Sequence, residues 1–220
     1  MRQVVVLVEG QTEEAVVDEV LAPVAWLQDI HLRPIIVRTS ATHRGGGHWK
    51  HYDLMLRTFL DQPHWSGVGL VVDYYGYPPG APGGTGELSG EARRLQLVAA
   101  LSDRYPDPRF HPLVMPHEIE ALVLAAIAAG AGDGILPPAA LSRLRRQVRQ
   151  AGGAEKVNTG AERIPSRRLA RADPDYSKTV TGPLLIAEAG LEPVLEGCPT
   201  FAAWWRGLLD PAAAPAGHRA

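Results

Sequence analysis

The stretch Val4-Val5-Val6-Leu7-Val8-Glu9-Gly10-Gln11-Thr12-Glu13-Glu14 decides the fold class. Its first five residues are apolar and mostly β-branched, the pattern of a strand buried on both faces, as in parallel sheets. Glu9 ends the run, and Gly10 lets the chain turn sharply out of the strand. Thr12 is placed to cap a helix whose first turn carries Glu13 and Glu14, acids that suit its dipole. Val16, Val17, Val20 and Leu21 then recur at helical spacing. A buried strand feeding straight into a helix is the opening half of a βαβ unit.

The same alternation continues outward. Arg33–Thr39 reads as a second strand, with Pro34 near its start marking an edge position. Ser40–Trp49 is a polar loop holding Gly45-Gly46-Gly47, and a helix follows over Lys50–Leu60. Val68–Val72 is a third strand, ended by Asp73, and a Gly/Pro-rich loop runs from Gly76 to Gly90, a length that usually serves function. Glu91–Tyr105 is a helix, Arg109–Met115 a fourth strand, and Pro116-His117-Glu118 leads into the apolar helix Ile119–Ala129. This order predicts an α/β fold: a mainly parallel, Rossmann-like four-stranded sheet flanked by helices. Beyond Gly130 the alternation stops. Pro137–Gln150, Ile164–Ala172, Pro183–Ala189 and Pro199–Leu209 read as helices, the last anchored by Trp204 and Trp205. The expected organisation is an α/β core over 1–130, a C-terminal helical extension packed on it over 131–210, and a frayed tail over 211–220.

Composition limits the function classes. The 220 residues are 45% hydrophobic and 21% charged, ordinary for a soluble globular chain and long enough to bury a core without staples. The 23 glycines and 19 prolines follow no period, which excludes collagen-like and repeat architectures. Cys198 is the one cysteine, so disulfide frameworks and cysteine-based zinc sites are excluded. Glu9 breaks the first apolar run too early for a signal peptide or a membrane span, and a cytoplasmic protein with no membrane partner is expected.

Net charge is −2, but its distribution is uneven. Residues 1–31 carry Glu9, Glu13, Glu14, Asp18, Glu19 and Asp29 against Arg2 alone, whereas residues 143–178 carry ten bases against four acids. A basic tract in a chain with an acidic region suits a polyanion such as nucleic acid held next to a divalent metal; the plainer reading is that Arg143, Arg145, Arg146 and Arg149 solvate one helix face.

In open parallel sheets, ligands bind beyond the carboxyl ends of the strands. Those ends carry Glu9, Asp73 and His117-Glu118-Ile119-Glu120. Carboxylates gathered without counter-charge repel one another, and a divalent cation removes the repulsion. Oxygen ligands with retained waters favour Mg²⁺ or Mn²⁺ over zinc. Glu13, one turn beyond Glu9, can face the same cation.

Val8-Glu9-Gly10-Gln11-Thr12-Glu13 resembles the opening signature of the TOPRIM (topoisomerase–primase) fold. The chain as a whole resembles the bacterial family "domain of unknown function 4276", TOPRIM-like proteins. The matching stretches are Val8–Glu14, Arg44-Gly45-Gly46, Asp73-Tyr74-Tyr75-Gly76, His117–Leu122, Pro165–Leu169, Tyr176-Ser177-Lys178, Gly182-Pro183-Leu184 and Cys198–Trp204. The resemblance implies a TOPRIM-like sheet in which an early glutamate and an Asp-x-Asp pair hold metal for phosphodiester chemistry. Glu9 matches the glutamate and Asp73 the first aspartate, but Tyr75 stands where the second would be. In the overgrowth-lysogenization-defect type of TOPRIM nuclease a further acidic motif completes the site, a role that His117, Glu118 and Glu120 would take here. The resemblance also implies an SMC- or ABC-like ATPase partner, an arrangement associated with phage defence.

The expectation that follows is a metal-dependent phosphodiester hydrolase, a nuclease. Glu9, Asp73 and one or both of Glu118 and Glu120 would hold one or two Mg²⁺, with Glu13 assisting; two ions would stand about 3.5–4 Å apart. His117 or Lys178 would move protons or steady the phosphate, and Arg44, Arg167, Arg168 and Lys178 would neutralise phosphates. Two rival readings are a non-catalytic regulatory or sensor subunit of an ATPase complex, and a small-molecule phosphohydrolase. DNA against RNA, endo- against exonuclease action, and the oligomeric state, a homo-oligomer included, stay open at this level.

Overall fold

A computed structural model describes residues 1–37, 47–86, 89–157 and 164–210. Four strands, β1 (Arg2–Val8), β2 (Ile30–Ile36), β3 (Trp65–Asp73) and β4 (Phe110–Met115), form one sheet in the order β2-β1-β3-β4. β1 runs parallel to β2 from Arg2↔Ile30 to Val8↔Ile36, and parallel to β3 through Val4↔Gly67 and Leu7↔Leu70. The fold is a parallel α/β fold, as the alternation requires. Val4 to Val8 are all fully buried, which is what a central strand covered on both faces demands. β2 begins three residues earlier than the apolar run suggests, because in-register pairing with all of β1 recruits Ile30 and Leu32. Pro34 sits on this edge strand, where a missing N–H is tolerated.

The chain falls into two compact units: Met1–Val114 together with the chain from Ala203 on, and Met115–Ala202. The sequence alone places a boundary at 130; the units divide at the end of β4.

In the first unit, Gln11 to Trp26 is helical throughout, as α1 (Gln11–Val16), a π-helical turn (Val17–Leu21) and α2 (Ala22–Trp26). The Ala22 N–H donates to the Val17 carbonyl, five residues back, and this wider turn precedes Pro23, which has no N–H to give. The helix starts at Gln11 with Gly10 as its cap residue and no side-chain cap bond, so Thr12 lies inside the first turn and does not cap it. Helices α3 (Lys50–Leu60) and α4 (Gly90–Arg104) cover one sheet face, where Tyr52, Leu56, Leu97 and Leu101 pack with Val5, Leu7, Val68 and Leu70. The other face meets the last helix, α10 (Pro199–Leu209). Gly69 has a reason to be glycine here: an added Cβ would lie 3.2 Å from the Trp204 ring and 3.2 Å from Val6. The Trp204 Nε1–H donates to the His111 carbonyl at 3.0 Å, and Arg2 donates to the Leu209 carbonyl at 2.7 Å.

The second unit is helical. Its centre is α5 (Ala121–Ala129), apolar all round and buried from Ala121 to Ile127. Around it lie α6 (Pro138–Ala151), a 3₁₀ turn (Ala154–Lys156), α7 (Pro165–Ala172), α8 (Thr181–Ala189) and α9 (Leu191–Gly197). The 3₁₀ turn and α9 carry no sequence signal of their own, being at most two turns long, with Pro193 inside α9. Part of the basic tract is structural. Arg145 on α6 donates to the carbonyls of Ile127 and Gly130, both at 2.9 Å, satisfying the open end of α5. Buried Glu155 accepts from the Thr200 and Phe201 N–H groups at 3.0 Å each, closing the start of α10. Among the described residues no helix is long and apolar enough to cross a membrane.

Candidate functional site

The strand order fixes where a ligand crevice opens. From β1 the chain crosses to β2 on one side, then returns past β1 to β3 on the other, so the connections diverge between β1 and β3. That divergence leaves a gap beyond the carboxyl ends of the two strands. Glu9 directly follows β1 and Asp73 is the last residue of β3. The Tyr52 hydroxyl, from α3, donates to Glu9 Oε1 at 2.7 Å, and the Asp73 backbone N–H donates to Glu9 Oε2 at 3.1 Å. Both donors are neutral. Burial pushes the Glu9 pKa above the ordinary carboxylate value, and the two hydrogen bonds offset it only in part.

Tyr52 reports on what surrounds it. Its hydroxyl is held well above the ordinary phenol range by burial first, and then by Glu9, Glu13 and Asp73. Three carboxylates therefore act on one phenol. Gly10 lies close to Glu13: a Cβ there would stand 3.2 Å from Glu13 Oε2.

The remaining acids belong to the second unit and are engaged differently. Glu118 accepts from the Ser166 N–H and the Ser166 hydroxyl, both at 2.9 Å, and so closes the first turn of α7. Glu120 is 3% exposed, and the Lys178 ammonium stands 2.7 Å from its Oε1. Burial raises the Glu120 pKa, and Lys178 pulls against it. The Tyr176 hydroxyl is pushed up by burial and by the two glutamates, Glu120 before Glu118. Burial lowers the His117 pKa, opposed by Glu118, so the ring favours its neutral form. On α7, Arg167 is exposed and Arg168 half-buried. Arg44 lies outside the described residues.

Tyr52 and Ser166 are the partners that sequence reasoning missed. Tyr52 sits on the buried stripe of an amphipathic helix and reads there as core; nothing local marks its hydroxyl as a donor to a residue 43 positions away.

Among the described residues, no three His, Cys, Asp or Glu side chains gather closely enough to cage a metal ion. Hydrated magnesium needs less, because it keeps several waters and takes one or two carboxylates, with substrate phosphates completing its shell. Glu9 and Asp73 meet that requirement in kind: hard oxygen donors, and in Glu9 a carboxylate with about four lone-pair sites of which two are used. No curated protein and no solved structure matches this chain. A family profile does match it, over residues 8–209, from the end of β1 to the end of α10, and the chain therefore belongs to the family described as domain of unknown function (DUF4276).

Proposed function

We propose that this chain is a metal-dependent phosphodiester hydrolase acting on nucleic acid, built on a TOPRIM-like sheet. The observation that carries the reading is Glu9 at the end of β1, its two oxygens held by the Tyr52 hydroxyl and the Asp73 N–H beside the divergence of β1 and β3. A half-buried carboxylate whose hydrogen-bond donors among the described residues are neutral carries a charge they do not cancel, and a cation would relieve it. Glu9 and Asp73 would hold Mg²⁺ or Mn²⁺, with Glu13 completing the negative field. The ion supplies Lewis-acid polarisation of a phosphoryl oxygen and a more acidic water.

The protein's own groups do the positioning. The Tyr52 hydroxyl and the Asp73 N–H fix both oxygens of Glu9, so the carboxylate does not swing toward the incoming phosphate. On the second unit, Arg167 and Lys178 are the exposed groups assigned to backbone phosphates, with Arg168 beside them. His117, held toward its neutral form, is the proton carrier in this reading. Work alongside an ATPase in phage defence belongs to the same proposal, and copurification of such a partner supports it.

The test is cleavage of single- and double-stranded DNA and RNA in Mg²⁺ and in Mn²⁺. Glu9→Ala and Asp73→Ala should each lower the rate by about a thousandfold or more while the fold persists. Undiminished cleavage in Glu9→Ala overturns the assignment. A second reading, a non-catalytic subunit of an ATPase complex, is favoured by Tyr75 in the place of a second aspartate; no cleavage by the wild-type chain in either metal, alone or with the partner, decides for it.

A further inference from the structure

Directly after Asp73 the chain builds a cavity of about 520 Å³, within the roughly 300–1,000 Å³ typical of small-ligand clefts. Tyr74, Tyr75 and Tyr77 line it together with the Pro78–Thr85 turn. Tyr74 and Tyr77 are partly buried against the core, whereas Tyr75 is 68% exposed. The Tyr74 and Tyr75 rings meet edge to face at 5.1 Å and 89°.

The surrounding loop is fixed in place. The Tyr77 hydroxyl donates to the Pro82 carbonyl at 2.8 Å, and the Trp49 N–H donates to the Pro79 carbonyl at 2.9 Å. Gly83, at φ +72°, approaches α4 so closely that a Cβ would lie 2.9 Å from Ala100. Arg93 of α4 is 7% exposed and donates to the Gly83 carbonyl and, at 2.6 Å, to the Gln96 side chain. A pocket set this firmly loses little entropy when it binds.

Its charge selects the occupant. Arg93 is the sole basic residue among the described ones lining the cavity, and its guanidinium is committed to the loop it braces. Among the described residues lining the cavity, a phosphate would find phenols and no presented cation. A flat, neutral ring would find a stacking surface in the exposed Tyr75 ring. Because Tyr74 and Tyr75 directly follow Asp73, such a ring would lie close to the carboxylates assigned to the phosphodiester.

We infer that this cavity receives an unpaired nucleobase stacked on Tyr75, so that the nucleic acid bound here is single-stranded. The inference rests on the phosphodiesterase reading for the identity of the polymer, and its test is separable from that reading because no metal is needed. A stacked base in a duplex offers no face to a side chain, whereas an unpaired base does, whatever its identity.

The experiment is fluorescence anisotropy in EDTA with labelled 12-mers of deoxythymidine and of uridine, and with a duplex of the same length. The single strands should bind at least tenfold tighter than the duplex, and the tighter of the two names the sugar. Tyr75→Ala should weaken single-strand binding about tenfold, and Tyr75→Phe should stay within about twofold, since the ring and not the hydroxyl does the stacking. Equal affinity for duplex and single strand overturns the inference, as does wild-type binding by Tyr75→Ala. Tyr75-dependent binding of a strand that is never cleaved in Mg²⁺ keeps the base pocket and removes the hydrolase; cleavage that survives Tyr75→Ala with unchanged KM does the reverse.

Discussion

Glu9 and Glu120 make an instructive pair. Both follow a strand of the same sheet at the chain's return to helix, Glu9 half-buried and Glu120 buried, and burial raises the pKa of each. They differ in what answers the charge. Glu120 has an ammonium 2.7 Å away, whereas Glu9 has a phenol and a backbone N–H. A full counter-charge completes a carboxylate and makes it a fixture of its unit. Neutral dipoles orient a carboxylate without neutralising it, and leave room for a cation. In the proposed reading this contrast assigns the cation to Glu9 and a structural ion pair to Glu120.

The largest expected difference between the two is in catalysis: the thousandfold loss predicted for Glu9→Ala should have no counterpart in Glu120→Gln. The next is in stability. Lys178→Met strands the Glu120 charge, and chemical denaturation should show a loss of roughly 2 kcal/mol, below the 3–5 kcal/mol of a fully buried pair because Lys178 stays half exposed to water. Adding Glu120→Gln to that variant removes the stranded charge and should restore most of the loss; no recovery in the double variant would mean that the pair is not what holds Lys178.

The smallest effect concerns pH. A carboxylate whose pKa is raised in the folded chain binds its proton to a higher pH folded than unfolded. Its contribution to stability is therefore present below the ordinary carboxylate pKa and is lost as pH climbs through the raised value. The same ionisation opens Glu9 to a cation, so the gain in Tm on adding Mg²⁺ should appear as pH rises through that window and vanish beneath it. Tyr52→Phe deletes a donor that lowers the Glu9 pKa and should move this window to higher pH. A window that stays put in Tyr52→Phe would show that the phenol does not govern Glu9.

Much of the fold was legible in local pattern. The apolar run Val4–Val8 announced a central strand, and Lys50–Leu60 was readable as a helix to the residue. The ends of β1 and β3 pointed to Glu9 and Asp73 because side chains at strand termini share a rim. What stayed hidden depends on contacts between distant residues. Tyr52 reaches Glu9 only because α3 packs across the sheet, Lys178 meets Glu120 across 58 positions, and Glu118 closes a helix that starts at Pro165. Thr12 lies inside the helix for a related reason: Gly10 turns the chain early enough for the helix to begin at Gln11.

The most direct measurement is Mn²⁺ binding at pH 7.5, followed by the electron paramagnetic resonance signal of the free ion, for the wild type, Glu9→Ala and Glu120→Gln. If neutral dipoles leave Glu9 open to a cation, the wild type and Glu120→Gln bind Mn²⁺ with affinities within about threefold, and Glu9→Ala loses at least tenfold. Binding by Glu9→Ala that equals the wild type would contradict it.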